Sequence, residues 1–418
     1  MKITYINRNL PLIIICFLFS FYYLIADFSI NVVLLVVFIT IIEVAVCLLS
    51  GMKGTIVLSK LSLIILLIFL TIILNLRNGN YLEEQPFYLF SLLLVAFVFF
   101  FVKSGFYDRK MSLMILLISS SIVCCFVIAS RFLPGLYKVI LGVISQESRD
   151  YSEWLLGIGY SGAVGGEISR TAQYVVVGIP ILLGRYWGNG NKGFFCLCVL
   201  WFAVLALVGR RAELLAAIIA LLLIIYLRAS ERKKHNIILV FFLAVAVLII
   251  SAILIEMNVV TYNGNNRIIN SVFLLIKGAD VSNGRSRLYR LAIDLFLQHP
   301  FFGIGWGNYR LYSRDILTSV TNVHNMYLQS LCEVGIIGTI VFVFLVSFLL
   351  RYTYKQFSRH KYDNLIEIVT FPMFMAVYIL FLGLFDNIVY HDEFWFLEAF
   401  ILFCSYRIEK GEKFRWNL

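Results

Sequence analysis

Charge is scarce in this sequence. Only 14% of its 418 residues are Asp, Glu, Lys or Arg, and no Ser, Pro or Gln tract marks a linker. With 61% apolar residues and a mean hydropathy of +0.90, the chain carries more apolar side chain than one aqueous core could hide, which excludes a water-soluble protein. No internal repeat of fixed period is visible, so the chain reads as one helical bundle rather than a repeat array. The eight cysteines lie mostly inside apolar runs and show no metal-ligand spacing, so they read as small core residues and no metal is expected. GYSGAVGGE (Gly159 to Glu167) is glycine-rich but lacks the lysine and the strand context of a nucleotide loop.

What the sequence does have is long apolar runs. They lie near 10–28, 29–50, 55–76, 86–102, 112–133, 171–187, 193–208, 212–227, 236–255, 326–350, 365–385 and 389–406. Runs of roughly 17 to 25 residues match a hydrocarbon core about 30 Å thick, so the expected fold is an all-α polytopic membrane bundle of about twelve spans. A second run follows the first almost at once, with no small-residue cleavage site between them, so the first is expected to be retained.

The net charge of +11 raises nucleic acid as a partner, but its distribution argues against that. Starting from a cytoplasmic N-terminus, alternate short segments collect most of the 35 basic residues, among them Lys2, Lys53, Lys110, Arg185, Arg228, Lys361 and Arg415. Both termini are then expected in the cytoplasm. Two long outward loops, about 134–170 and 256–325, break the rhythm of short connections, and such lengths usually carry function or local structure. The larger one divides the chain into an N-terminal transmembrane bundle (1–255), an external loop (256–325) and C-terminal transmembrane helices (326–418). It contains SRLYRLAIDLFLQHP, with Leu288, Leu291, Ala292, Leu295 and Phe296 on one helical stripe, closed by Pro300 and followed by the GIGWG turn. This predicts an amphipathic helix beside the outer leaflet.

Three external features carry possible chemistry. In VGRRAELLA, Arg210 and Arg211 sit between two apolar runs, either as arginines snorkelling to headgroups or as guanidinium forks suited to phosphate oxygens. In SNGRSRLYR, Arg285 precedes the predicted helix, near its unpaired N–H groups, while Arg287 and Arg290 read as a solvated face or headgroup contacts. In VHNMYLQSLCEVGIIG, His324 and Asn325 stand ahead of a span, either as structural hydrogen-bonding groups or as a proton acceptor with an orienting amide. Glu333 falls on another face of a continuous helix and is expected to cap or brace a neighbour. Asp386 is placed to pair with an external arginine. His391, Asp392 and Glu393 are adjacent, so on a helix they diverge by about 100° each and cannot all face one ion.

NGRSRLYRLAIDLFLQHPFFGIGWGNY, a spacer, and VHNMYLQSLCEVGIIG together resemble the signature region of the bacterial O-antigen polymerase and ligase superfamily. The shared elements are Gly-Arg before an amphipathic helix, a Pro-apolar-apolar-Gly-apolar-Gly turn, and His-Asn ahead of a helix bearing Glu and Gly-apolar-apolar-Gly. The resemblance implies a metal-independent, cofactor-free glycosyltransferase of the membrane-embedded C-type architecture. It implies transfer of a glycan from an undecaprenyl-diphosphate donor, outside the cytoplasmic membrane, to an acceptor hydroxyl on a lipid-linked repeat (polymerase) or on lipid A-core (ligase). A chain-length regulator is a further candidate partner. By the same resemblance Arg211 and Arg285 bind the diphosphate and His324 is the general base or acceptor-orienting group. The family's usual Ser-Arg-Gly is replaced here around Gly209 and Arg210, which keeps both arginines as candidates. His-Asn-Met-Tyr-Leu is more similar to the polymerase branch. A lipid transporter is the alternative of a different class, but the arginines cluster outside and no paired inverted repeats are visible.

Overall fold

The computed structural model describes residues 109–162, 168–230, 285–318 and 320–388, with the single positions 14 and 401. The expected spans before residue 109, the one at 236–255, the last one at 389–406 and the group His391, Asp392 and Glu393 lie outside the described residues. Among the described residues every regular element is a helix. In chain order these are α1 (Arg109–Phe132), α2 (Pro134–Leu141), α3 (Gln146–Gly157), α4 (Ile168–Asn189), α5 (Lys192–Val208), α6 (Arg211–Arg228), α7 (Arg285–Gln298), α8 (Tyr309–Leu317), α9 (Met326–His360) and α10 (Ile366–Leu382).

Their boundaries follow local chemistry. Pro134 opens α2, where a missing N–H costs nothing, and Ser145 caps α3 by accepting from Ser148 N. Asn191 caps α5, which ends at the left-handed Gly209 (φ 85°). Both α1 and α9 are long and apolar enough to cross a membrane, and α5 and α10 are shorter apolar helices.

The core is built around α4, which packs against α1, α5 and α10, while α10 also packs against α6 and α9. Close approach at the centre depends on small residues. A Cβ on Gly178 would stand 2.2 Å from Trp201 Nε1 and 2.5 Å from Ser120 Oγ. With glycine there, the buried indole N–H of Trp201 reaches Ser120 Oγ at 2.8 Å, so no polar atom is stranded at that contact.

The bundle has two chemically distinct ends. At one, Lys110 and Arg185 each stand 3.3 Å from Glu367, and Arg228 lies over the Trp187 ring at 4.6 Å while Lys361 Nζ donates to Leu227 O. These basic groups are among those expected to face the cytoplasm. The other end holds the start of α6, the start of α9, the end of α10 and, packed on α9, helix α7.

Two features differ from the sequence reading. The apolar stripe of α7 does not face a leaflet. Leu291, Ala292 and Leu295 are buried with Ile304, Tyr309, Val323 and Cys332 against α9, while Ile293 and Leu297 are left exposed. Nor is the span starting at Met326 continuous. It breaks at Gly335 (φ 67°, ψ −172°), and the backbone of the Pro300–Gly305 turn enters the gap. Ile336 N donates to Pro300 O, and Ile304 N and Gly305 N donate to Cys332 O and Glu333 O, each at 2.9 Å. The break frees helical N–H and C=O groups, and the inserted turn pairs several of them, as burial requires. The two glycine motifs of the signature are therefore a single packed unit in space.

Candidate functional site

The end of α10 is the meeting point of the site. An α-helix leaves its last carbonyls without helical partners, and buried carbonyls need donors. Here each donor comes from a distant part of the chain. Met326 N donates to Gly383 O at 2.8 Å, Asn325 Nδ2 to Leu384 O at 3.1 Å, and Arg285 Nη1 to Phe385 O at 2.7 Å. The next residue, Asp386, is buried and supplies a carboxylate. Its Oδ2 accepts from Arg210 Nη2 at 2.7 Å, and its Oδ1 accepts from Asn387 N at 2.8 Å and stands 3.6 Å from His324 Nδ1.

Arg210 is the N-cap of α6 and Arg211 its first residue. The Arg210 guanidinium bridges two carboxylates, with Nε at 2.7 Å from the fully buried Glu213 and Nη2 on Asp386. Burial alone would weaken this charge, but Glu213 and then Asp386 outweigh it and hold the guanidinium above its ordinary value. Gly209 makes the turn possible. Its φ is positive, and a Cβ there would lie 2.8 Å from Gly159 O on the segment leading into α4. That segment is tied to the same turn by Ser161 N donating to Val208 O at 3.3 Å.

His324 occupies a left-handed conformation (φ 57°), uncommon for a residue with a Cβ. Its ring is partly exposed, with Nδ1 toward Asp386 and Nε2 3.5 Å from Thr321 Oγ1. At 3.6 Å the contact with Asp386 is an electrostatic one, longer than a hydrogen bond. Asn325 caps α9, its Oδ1 accepting from Tyr327 N and Leu328 N at 3.0 Å each. Arg285 is the first residue of α7 and is half-buried.

Of the residues singled out in the sequence, Arg210, Arg285, His324 and Asn325 thus converge directly on residues 384–386, and Arg211 adjoins them through Arg210. Arg287 and Arg290 do not: both are exposed on α7. The pairing expected of Asp386 with an external arginine is present, to Arg210. Glu333 braces as expected, its Oε1 accepting from Tyr309 N at the start of α8 at 3.1 Å. Glu213 was not singled out. The signal for it was the Arg-x-x-Glu spacing at the mouth of an apolar run, which puts both charges on one helical face. Among the described residues no group of three or more His, Cys, Asp or Glu is placed to hold a metal ion.

Such an arrangement suits an anionic substrate with a reacting hydroxyl. Guanidinium groups at a membrane edge bind phosphate oxygens in a bidentate fork. An imidazole with a carboxylate behind one nitrogen can take a proton on the other and have the new charge stabilised.

No curated protein matches the chain. Residues 195–343 match the family model of the O-antigen ligase, a stretch that runs from α5 into α9 and contains Arg210, Arg211, Arg285, His324 and Asn325. Over residues 195–343 the chain is therefore similar to the O-antigen ligase family, which supports a relationship to the O-antigen ligase and polymerase superfamily.

Proposed function

We propose that this protein is an inner-membrane glycosyltransferase that polymerises undecaprenyl-diphosphate-linked O-antigen or capsular repeat units on the external face of the cytoplasmic membrane. The observation that supports this reading is the convergence of Arg210, which Arg211 follows in the chain, with Arg285 and His324 on the turn after α10. In this reading Arg211 and Arg285 hold the donor diphosphate. Arg210, engaged by Glu213 and Asp386, anchors the turn, and Arg211 takes the substrate role that the family resemblance gives it.

The reaction is a direct displacement. An acceptor hydroxyl oxygen attacks the anomeric carbon, the bond from that carbon to the diphosphate oxygen breaks with its electron pair, and the hydroxyl proton passes to His324 Nε2. Asp386 faces Nδ1 and compensates the charge the ring acquires. Charge grows on the leaving diphosphate as the bond breaks, so guanidinium contacts there stabilise the transition state more than the ground state. Asn325 is fixed by the α9 cap and Leu384 O, and holds the backbone beside His324. Inversion at the anomeric carbon follows from a single displacement.

The test uses purified full-length protein in detergent with a lipid-diphosphate-linked repeat unit, with and without lipid A-core, comparing wild type with Arg211→Ala, Arg285→Ala and His324→Ala. A ladder of products from the repeat alone, lost in the variants, supports polymerisation. Transfer only to lipid A-core makes the protein a ligase with the same site. Retained anomeric configuration or a trapped glycosyl-enzyme would refute the displacement.

A further inference from the structure

His324 is held by more than its immediate neighbours. The residue before it, Val323, is fully buried, and its N–H is directed at a side chain six residues ahead, donating to Gln329 Oε1 at 2.8 Å. The other end of that amide, Gln329 Nε2, donates to Glu333 Oε1 at 2.8 Å, and the same oxygen accepts from Tyr309 N at 3.1 Å. Gln329 and Glu333 are both about 1% exposed. They are four residues apart on the first part of α9 and so share one face. The chain of bonds runs from Val323 N through Gln329 and Glu333 to the first residue of α8, entirely inside the protein.

We propose that Gln329 and Glu333 are positioning residues for His324. The inference rests on the role given to His324 above and extends it to groups that touch no substrate. His324 at φ 57° has no glycine freedom, so the conformation persists only if the surrounding structure imposes it. Three constraints do so. Gln329 fixes the peptide N–H of Val323 on one side. Asn325, locked as the cap of α9, fixes the other. Tyr289 Oη, 3.5 Å from His324 O, closes the third direction. The Gln329 constraint is relayed through Glu333 to the α8 segment that follows the GIGWG turn, as the Asn325 constraint is relayed to Leu384 O after α10. The polar pair therefore couples the placement of the imidazole to the seating of that turn in the Gly335 gap, where Gly305 N donates to Glu333 O.

The amide and the carboxylate have distinct tasks, which makes the pair testable by exchange. Gln329→Met is close in shape but can neither accept from Val323 N nor donate to Glu333. Gln329→Glu alone keeps the acceptor for Val323 N but sets two carboxylates against each other. Gln329→Glu with Glu333→Gln reverses the central bond: the amide at 333 turns so that its Nε2 donates to the carboxylate at 329 while its Oε1 accepts from Tyr309 N, two atoms sharing the contacts that the single Glu333 Oε1 makes in the wild type.

The experiment is carbon-detected or proton–carbon NMR of the full-length protein in detergent, labelled on histidine. The chain has five histidines, and the His324 ring signal is assigned by its loss in His324→Gln. We expect the His324 signal to move in Gln329→Met and in Gln329→Glu, with the other four unmoved, and to return to its wild-type position in the exchanged double variant. In the transfer assay the single variants should lose at least ten-fold in kcat with the donor KM changed less than two-fold, and the double variant should recover to within about three-fold. An unmoved His324 signal in both single variants overturns the proposal, as does a double variant that remains displaced. Should Gln329→Met fail to fold, the comparison of Gln329→Glu with the double variant decides it. The two readings separate cleanly: activity in His324→Gln equal to wild type refutes the catalytic role, while the NMR outcome depends on positioning alone.

Discussion

Gly335→Ala should unfold the protein more readily than its chemistry suggests. Position 335 combines φ 67° with ψ −172°, a region that residues with a Cβ occupy at a cost of about 1–3 kcal/mol. The added carbon would also lie 2.3 Å from Phe301 O, 2.4 Å from Phe301 C and 2.6 Å from Gly303 N. All three are backbone atoms of a turn whose own glycine at 303 is packed 2.3 Å (measured from its ideal Cβ position) from Glu333 C, so neither side can retreat cheaply. Separating them breaks the bonds from Ile336 N to Pro300 O and from Ile337 N to Phe301 O, at about 1 kcal/mol each. Together these amount to about 3–5 kcal/mol. The assay is the unfolding midpoint of purified protein in detergent, followed by tryptophan fluorescence. The internal control is Gly135→Ala, in the first turn of α2 with nothing within 4 Å of the new methyl, which should be neutral or stabilising by up to about 1 kcal/mol. Equal midpoints for Gly335→Ala and wild type would refute the inserted-turn geometry.

Two further substitutions probe the turn after α10. Asn325→Ala removes the α9 cap and the bond to Leu384 O and should cost about 1–2 kcal/mol, whereas Asn325→Asp keeps the cap and loses only the second bond, so thermal midpoints should rank wild type, Asp, Ala. Asp386→Ala removes one of the two carboxylates paired with Arg210 and should cost about 3 kcal/mol, while replacing all three charges together (Arg210→Met, Glu213→Leu and Asp386→Leu) should recover much of that stability without recovering transfer activity; a triple variant no more stable than the single one would count against the buried triad as described.

Much of the bundle was legible because apolar periodicity and length are local properties. The runs at 193–208 and 212–227 became α5 and α6 nearly residue for residue, and Gly209 marked the turn between them. The stripe Leu288, Leu291, Ala292, Leu295 and Phe296 was read as one apolar face beside the outer leaflet, but periodicity says only that a face is covered, not by what, and protein covers Leu291, Ala292 and Leu295. The break in α9 was hidden for a related reason. A glycine in an apolar run is tolerated in a helix, and it is the other glycine motif, some thirty residues earlier in the chain, that shows why Gly335 must leave the helical region. The site residues were legible as types, and topology placed Asp386 beside an external arginine, yet which arginine it meets and the convergence of Arg285, His324 and Asn325 on the same turn were not legible. Arg210 and Asp386 are 176 positions apart, and no spacing rule connects groups brought together by the ends of two different helices.

That convergence bears on how the arginines are tested. The carbonyl of Gly383 closes α10, those of Leu384 and Phe385 lie on the turn after it, and the groups that donate to them are Met326 N, Asn325 and Arg285. Arg285 is thus at once a candidate for the donor diphosphate and a cap on α10. Removing it should do two things: abolish phosphate contact, and leave Phe385 O without that donor, at a cost of about 1–2 kcal/mol for a half-buried, charge-assisted bond. Loss of transfer in Arg285→Ala alone would therefore not separate the two roles. Arg285→Lys does, because an ammonium can still donate to the carbonyl but cannot form the planar fork. The expected result is a thermal midpoint near wild type with the donor KM raised and kcat lowered. If the lysine variant is as unstable as the alanine variant while binding donor normally, Arg285 is a cap only, and the diphosphate must be held by Arg211 and groups beyond α7.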